Sequence, residues 1–466
     1  MNDMKPITRP LWTSDAIAKA VGGTASAPFQ SNGVAFDSRE VGSGDLFIAM
    51  KGEATDGHLF LDKAFANGAA GAIVEQAIAQ PHILVADSAK ALDALGIASR
   101  ARTDAKIIGV TGSVGKTGTK EALFQCLDRM SPGTAHRSVK SYNNHVGVPL
   151  SLARMPADTR FGIFEMGMNH AGELSALTQL VRPHVAIVTT VAPAHQEYFD
   201  SIEAIADAKG EIFEGLEPGG TAIIPFDSPY RDRLIAAAKP YASNIVTFGR
   251  GEGADVRALD WVPASDGGTL ITAQLPGKTS LCFTLSAPGD HWVSNAMAIL
   301  AAVQAAGGDI ATAGLALAEL PGLAGRGARH SIAVDDGAAL LIDESYNANP
   351  VSMAATIGQL GREQASRRIA VLGAMRELGG DTDAFHAALA HHLDDANVDF
   401  TILVGDEMKI LAAALEGRRN FAHGPDAAWA LETLRSEMRA GDAILIKGSN
   451  AVGLGKIVTS LTGGDK

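Results

Sequence analysis

Short apolar runs rich in Val and Ile alternate along the chain with longer stretches in which apolar side chains return at helical spacing. A continuous apolar run of a few residues suits a strand buried on both faces, and the helical recurrence suits a helix with one face on a core. The alternation predicts an α/β protein of parallel sheets and crossover helices. Strands are expected at residues 46–50, 82–85, 107–110, 162–166, 185–190, 369–373, 401–404 and 443–447. Helices are expected from residues 89, 116 and 171, over the stretch SIEAIADAKGEIFEGL, and over 310–320. No repeat of solenoid length is visible.

At 466 residues the chain has room for two or three cores. One boundary is expected near residues 102–106, where a helical stretch gives way to a strand. A second is expected at PGLAGRGAR, which is rich in Pro and Gly and poor in apolar side chains. The expected domains are therefore 1–104, 105–325 and 326–466. The composition, 46% hydrophobic and 20% charged, is that of a soluble globular protein. A net charge of −13 argues against a general binder of nucleic acid or membrane surfaces, which needs excess Lys and Arg. Any anionic ligand must be held locally. Cys126 and Cys282 are the only cysteines and make no disulfide framework. The start MNDMKPITRPLW lacks the apolar stretch of a secretory leader, and no run of about 18 apolar residues occurs, so a cytoplasmic protein is expected.

The segment KIIGVTGSVGKTGTKEALFQCL has the layout of a phosphate site: a buried-type strand, a turn through Gly112 and Gly115, then a helix from Lys116. Glycines let backbone N–H groups close on phosphate oxygens, and the helix N-terminus adds partial positive charge. Thr111, Gly112, Ser113, Val114, Gly115, Lys116, Thr117 and Gly118 form the expected nucleotide cradle. Lys116 is placed for the β/γ oxygens and Thr117 for magnesium. Val110 stands where the usual longer loop has its first glycine, so only the shorter G-x-x-G-K-T remains. Alone, this loop says nucleoside triphosphate, and kinases, motors and ligases share it.

Glu165 ends the apolar run FGIFE, beside the phosphate-loop strand, where a carboxylate can hold magnesium. His195 follows HVAIVTTVAPA, again just past a strand, and Lys209 lies in the helical stretch that follows. Singly, Glu165 reads equally well as an ordinary strand-end residue, and His195 and Lys209 read more readily as ordinary surface or helix residues. Three successive strand-to-helix connections, each carrying a group suited to phosphate or metal chemistry, point to phosphoryl transfer.

With these residues in view, the sequence resembles the Mur ligase family, and within it the branch that adds D-alanyl-D-alanine to a UDP-linked muramoyl tripeptide. The resemblance runs through nearly the whole chain. It rests on FDSREVGSGDLFIAMKGEATDGHLF, VTGSVGKTGTKEAL, KSYNNHVGVPLSLARMP, FEMGMNHAGE, AKGEIFEGL, GDHWVSNAMAILAA, LIDESYNANPVSM and KGSNAVGLGKIV together. It implies an N-terminal UDP-sugar-binding domain, a central domain for ATP and Mg²⁺, and a Rossmann-like C-terminal domain that binds the incoming dipeptide. It further implies that Ser38, Arg39, Asp56, Gly57 and His58 lie near the UDP moiety. Glu165 then holds one Mg²⁺ and His195 a second, with Lys209 matching a lysine that becomes carbamoylated to serve that second ion. Asn144 matches a polar residue near the reacting groups, Asn295 an adenine contact, Arg326 a linker arginine reaching the γ-phosphate, and Asp343 a ribose contact. Tyr346, Asn347 and Asn349, in YNANP, resemble the D-alanyl-D-alanine signature. A monomer is implied, with UDP-muramoyl tripeptide and D-alanyl-D-alanine as its small-molecule partners.

The implied reaction activates the tripeptide carboxylate as an acyl phosphate, which the dipeptide amine then attacks. Two alternatives remain open. The sister ligase that adds diaminopimelate or lysine carries D-N-P-R, but Val351 follows the proline here. A small-molecule kinase shares the loop but has no evident need for the third domain. Two positions depart from the family: Ala374 stands where an aspartate is frequent, and Trp292 where an asparagine is common.

Overall fold

The computed structural model describes residues 9–52, 55–193, 196–264, 268–287, 289–320, 322, 324–335 and 337–463. Among these the strands form four sheets, and three of them organise successive parts of the chain. Every predicted strand is present with ends shifted by no more than two residues. The phosphate-loop strand, for example, spans Lys106–Thr111 and its neighbour Phe161–Glu165.

The phosphate-loop strand lies inside the nine-stranded central sheet, between Phe161–Glu165 and Val185–Val188 and parallel to both. Its apolar run conceals a period of two. Ile108 and Val110 face a core built with the helices Lys116–Met130 and Asp290–Ala305. Ile107 joins the opposite core, under Glu173–Val181 and Ile202–Gly210. Both faces are covered, which is why the strand reads as continuously hydrophobic. Because the three strands run in parallel, Thr111, Glu165 and Val188 end at the same edge, where the helices begin. The helix predicted over SIEAIADAKGEIFEGL stops at Gly210 and continues as a 3₁₀ turn, Glu211–Gly215.

The strands Val256–Pro263, Thr269–Gln274 and Ser280–Leu285 extend the central sheet as an antiparallel flank outside the predicted set. Exposed and buried positions mix along them, and the register shifts between Ala258 and Asp260. A strand with one face open to water lacks the apolar run that marked the others.

The N-terminal sheet holds Asp45–Ile48 and Gly71–Val74 at its centre. Helix Ser88–Ala101 ties it to the central unit: Gly96 lies against the Pro149 backbone with no room for a side chain to spare. Arg102 covers the Trp12 ring at 3.7 Å and donates to the carbonyls of Leu11 and Met155. The C-terminal sheet runs in parallel from Gly337–Glu344 through Asp442–Lys447 and Arg367–Gly373 to Phe400–Val404 and Phe421–Gly424, with Ala328–Val334 antiparallel at one edge. Among the described residues no helix is long and apolar enough to cross a membrane.

Candidate active site

The turn after Thr111 is shaped for something that approaches the backbone closely. Gly112 has φ +149° and Gly115 φ +88°. A side chain on Gly112 would strike the Thr189 hydroxyl at 2.0 Å, and one on Gly115 would crowd the Asn295 amide at 3.1 Å. Gly115 then caps the helix Lys116–Met130, whose N-terminus has no side-chain cap and lines the cavity. Gly118 is covered by the Trp292 ring, 3.0 Å from where a Cβ would stand. The cavity in front of the loop encloses about 280 Å³ and lies between the central and C-terminal units. Thr111 sits behind it, its carbonyl accepting from the Thr189 backbone N–H and hydroxyl. Asn295 is in the second turn of its helix, buried, and on the cavity wall.

Thr117 and Glu165 meet as their strand and helix positions require. The Thr117 hydroxyl donates to Glu165 Oε2 at 2.7 Å, and Asn143 Nδ2 donates to Oε1 at 2.8 Å. Glu165 is fully buried yet has no ion-pair partner among the described residues. A buried carboxylate with two neutral donors, beside a threonine hydroxyl, is an oxygen-rich corner that suits a hard cation. Asn143 was not among the expected residues; its neighbour Asn144 was. Asn144 Oδ1 instead accepts from the backbone N–H groups of Val146 and Gly147, at the start of helix Gly147–Ala153, and faces a different cavity. The NNH motif marks the place, but only the turn of the backbone decides which asparagine faces the phosphate side.

Basic groups converge on the same space. Lys116 Nζ folds onto the Gly112 carbonyl at 2.6 Å, and burial pulls its pKa down while Glu165 opposes the shift. Lys209 is buried without an anionic partner among the described residues, and burial, with Lys116 nearby, holds it well below the ordinary lysine value. Lys447, at the end of a buried strand, donates to the Asn347 carbonyl at 2.9 Å with Glu344 3.5 Å away. Its pKa is also lowered by burial, against the pull of Glu344. Lys447 was missed, although it carries the same signal as Glu165: a charge closing an apolar run. His195 lies outside the described residues.

Arg326 reaches across from the linker, donating to Ser141 at 3.3 Å and lying over the Tyr346 ring at 4.2 Å. Asp343 is buried beside the cavity and is not one of its lining residues. Its oxygens accept from the backbone N–H of Gly325 at 2.6 Å and from Ser345 N–H and hydroxyl. These bonds fix the bend beside Arg326. Tyr346, Asn347 and Asn349 all line the cavity. Asn349 also caps helix Pro350–Arg362, its Oδ1 accepting from Ser352 N–H at 2.8 Å in a capping box.

A second cavity, about 930 Å³, opens between the N-terminal and central units. Ser38, Arg39 and Gly57 line it, with Tyr142 and Asn144 opposite. Asp56 and His58 are bonded to each other beside it. Asp56 Oδ1 accepts from His58 N–H and Nδ1, and His58 Nε2 accepts from Glu75 N–H, which fixes the imidazole tautomer.

Comparison with known proteins gives this arrangement its relatives. Residues 30–110 match "Mur ligase family, catalytic domain", 110–303 match "Mur ligase middle domain", and 329–450 match "Mur ligase, glutamate ligase domain". The UDP-N-acetylmuramoyl-tripeptide--D-alanyl-D-alanine ligase of Rickettsia prowazekii is 32% identical, over 96% of this chain and 99% of its own length. A crystal structure of MurF from Acinetobacter baumannii superposes with TM-score 0.83 at 31% identity, covering 98% of this chain and 99% of that one. The Thermotoga maritima MurF in complex with ADP superposes at 0.76, with 27% identity over 92% of this chain and 97% of that one. With matches running through all three units and relatives aligned almost end to end, the chain belongs to the Mur ligase family.

Proposed function

We propose that this protein is an ATP-dependent ligase that joins D-alanyl-D-alanine to UDP-N-acetylmuramoyl tripeptide through an acyl phosphate, in cytoplasmic assembly of a peptidoglycan precursor, acting as a monomer. The observation that carries the reading is the cavity itself: the phosphate loop, the Thr117–Glu165 pair and the YNAN segment line one space. The Acinetobacter and Thermotoga relatives support the same activity, and the ADP in the latter supports nucleotide use.

The residues divide the work by location. Backbone N–H groups at the helix start and Lys116 face the β- and γ-phosphates, while Arg326 approaches from the linker to stabilise charge on the moving phosphoryl group. The tripeptide carboxylate attacks the γ-phosphorus and ADP leaves. The dipeptide amine then attacks the activated carbonyl carbon and phosphate departs. The order follows from chemistry, since a carboxylate has no good leaving group until its oxygen is phosphorylated. Magnesium fits the corner formed by Thr117 and Glu165, where it supplies neutralisation of phosphate charge. Lys209, a buried amine that burial holds well below the ordinary lysine value, matches the lysine that the family resemblance implies is carbamoylated. Closure of the C-terminal unit keeps water from the acyl phosphate.

Phosphate release from ATP and UDP-muramoyl tripeptide, measured with and without D-alanyl-D-alanine, tests this reading. Release that depends on the dipeptide is expected. Equal release with diaminopimelate, or a stable phosphorylated product, overturns it.

A further inference from the structure

The backbone between strand Ala135–Arg137 and helix Gly147–Ala153 forms a wall shared by both cavities. Ser141 and Asn143 line the phosphate side, and Tyr142 and Asn144 line the other. One length of chain therefore serves two sites, and whatever fixes it fixes both. The same wall is tied to the metal corner: Ser138 Oγ accepts from Glu165 N–H at 3.2 Å, and the Asn143 carbonyl accepts from Gly167 N–H at 2.8 Å.

Lys120 sits at the base of this wall, one turn into the phosphate-loop helix, and is completely buried. Its Nζ donates to the carbonyls of Ser138 and Lys140, each at 2.8 Å, and lies 2.8 Å from Glu121 Oε1. An ammonium has three donors, and here three acceptors meet it. Glu121 is steadied in turn by Arg137 at 2.7 Å. The carbonyl held at Lys140 belongs to a non-glycine residue with φ +53°, a left-handed conformation that persists only when its surroundings hold it. From that bend the Lys140 ammonium and the Tyr142 hydroxyl both reach Glu40 in the N-terminal unit.

We infer that Lys120 is a positioning residue for both substrates: through the Ser138 and Lys140 carbonyls it sets the wall that presents Ser141 and Asn143 to the nucleotide and Tyr142 and Asn144 to the UDP-linked substrate. The inference rests on the activity proposed above. It makes the phosphate-loop helix the common support of two binding sites, whereas the dipeptide residues Tyr346 and Asn347 belong to the C-terminal unit and Tyr346 meets the wall at one remove, through Arg326 on Ser141.

Isothermal titration of ADP and of UDP-muramoyl tripeptide onto the full-length protein and onto Lys120→Met tests it, with the KM for D-alanyl-D-alanine measured in parallel. Removing a buried donor from two carbonyls and a carboxylate is expected to weaken both ligands about tenfold, with the dipeptide KM within about twofold. Glu40→Gln, at the far end of the chain of contacts, is expected to weaken the UDP-linked substrate alone. Lys120→Gln keeps an amide donor and replaces Lys120→Met if that variant is insoluble, with a loss of about threefold on both ligands. Wild-type affinity for both ligands in a folded Lys120 variant that has merely lost thermal stability overturns the inference. Failure of the unaltered protein to bind the UDP-linked substrate counts instead against the proposed activity, and the ADP arm alone then decides the role of Lys120.

Discussion

Asn349 does two things that one substitution can separate. Its Oδ1 caps helix Pro350–Arg362 by accepting from Ser352 N–H, while its Nδ2 has no acceptor among the described residues and the side chain lines the cavity. Asn349→Asp keeps the capping oxygen and adds a charge that favours a helix N-terminus, so stability is expected within about 0.5 kcal/mol of wild type. It removes the amide donor, and a hydrogen bond to a dipeptide carboxylate of about 1.5–3 kcal/mol corresponds to roughly 10- to 150-fold in KM for D-alanyl-D-alanine. Asn349→Ala loses both functions. Loss of the cap costs about 1 kcal/mol, or roughly 2–4 °C in melting temperature for a unit of this size. Thermal melts and steady-state kinetics with the dipeptide varied measure the two effects separately. A wild-type dipeptide KM in Asn349→Asp refutes the ligand role. An aspartate variant as unstable as the alanine variant refutes the capping argument.

Three further outcomes follow from the same geometry. Glu165→Gln keeps the shape of the carboxylate but not its charge, so kcat is expected to fall about 100-fold or more with a raised magnesium requirement, read from phosphate release across a magnesium titration. Because the Trp292 ring covers Gly118 and walls the cavity, ADP binding is expected to change tryptophan emission; a signal that survives Trp292→Leu would assign it to another tryptophan. Lys209 has a folded pKa far below its ordinary 10.5, so between those values the unfolded chain binds the extra proton and stability rises with pH. In bicarbonate-free buffer Lys209→Met is therefore expected to melt higher than wild type at pH 7, with the gap narrowing toward pH 10; with bicarbonate supplied it is expected to lack the ligase activity of wild type. A gap that stays constant or widens with pH would show that the lysine is charged in the folded protein.

The sequence by itself determined the layered α/β class, because strands buried on both faces must read as unbroken apolar runs, and Lys106–Thr111 and Phe161–Glu165 do. It also determined the phosphate loop, since glycines at Gly112 and Gly115 answer a local backbone demand that no distant contact can remove. The antiparallel flank was illegible for the opposite reason: water on one face lets polar residues interrupt the pattern. Within the site, Glu165 and Thr117 were legible because strand ends and helix starts fix where they point. Which of Asn143 and Asn144 meets Glu165 was not, because adjacent residues of one type differ only in the turn of the backbone between them. Tertiary structure alone decided that Asp343 braces Gly325 and Ser345, that His58 is locked between Asp56 and Glu75, and that Lys120, an unremarkable charge in a helix by sequence, is buried against three acceptors. Each depends on partners far along the chain, and burial, which decides whether a charged side chain is a solvated face or a structural support, is a property of the fold and not of the residue.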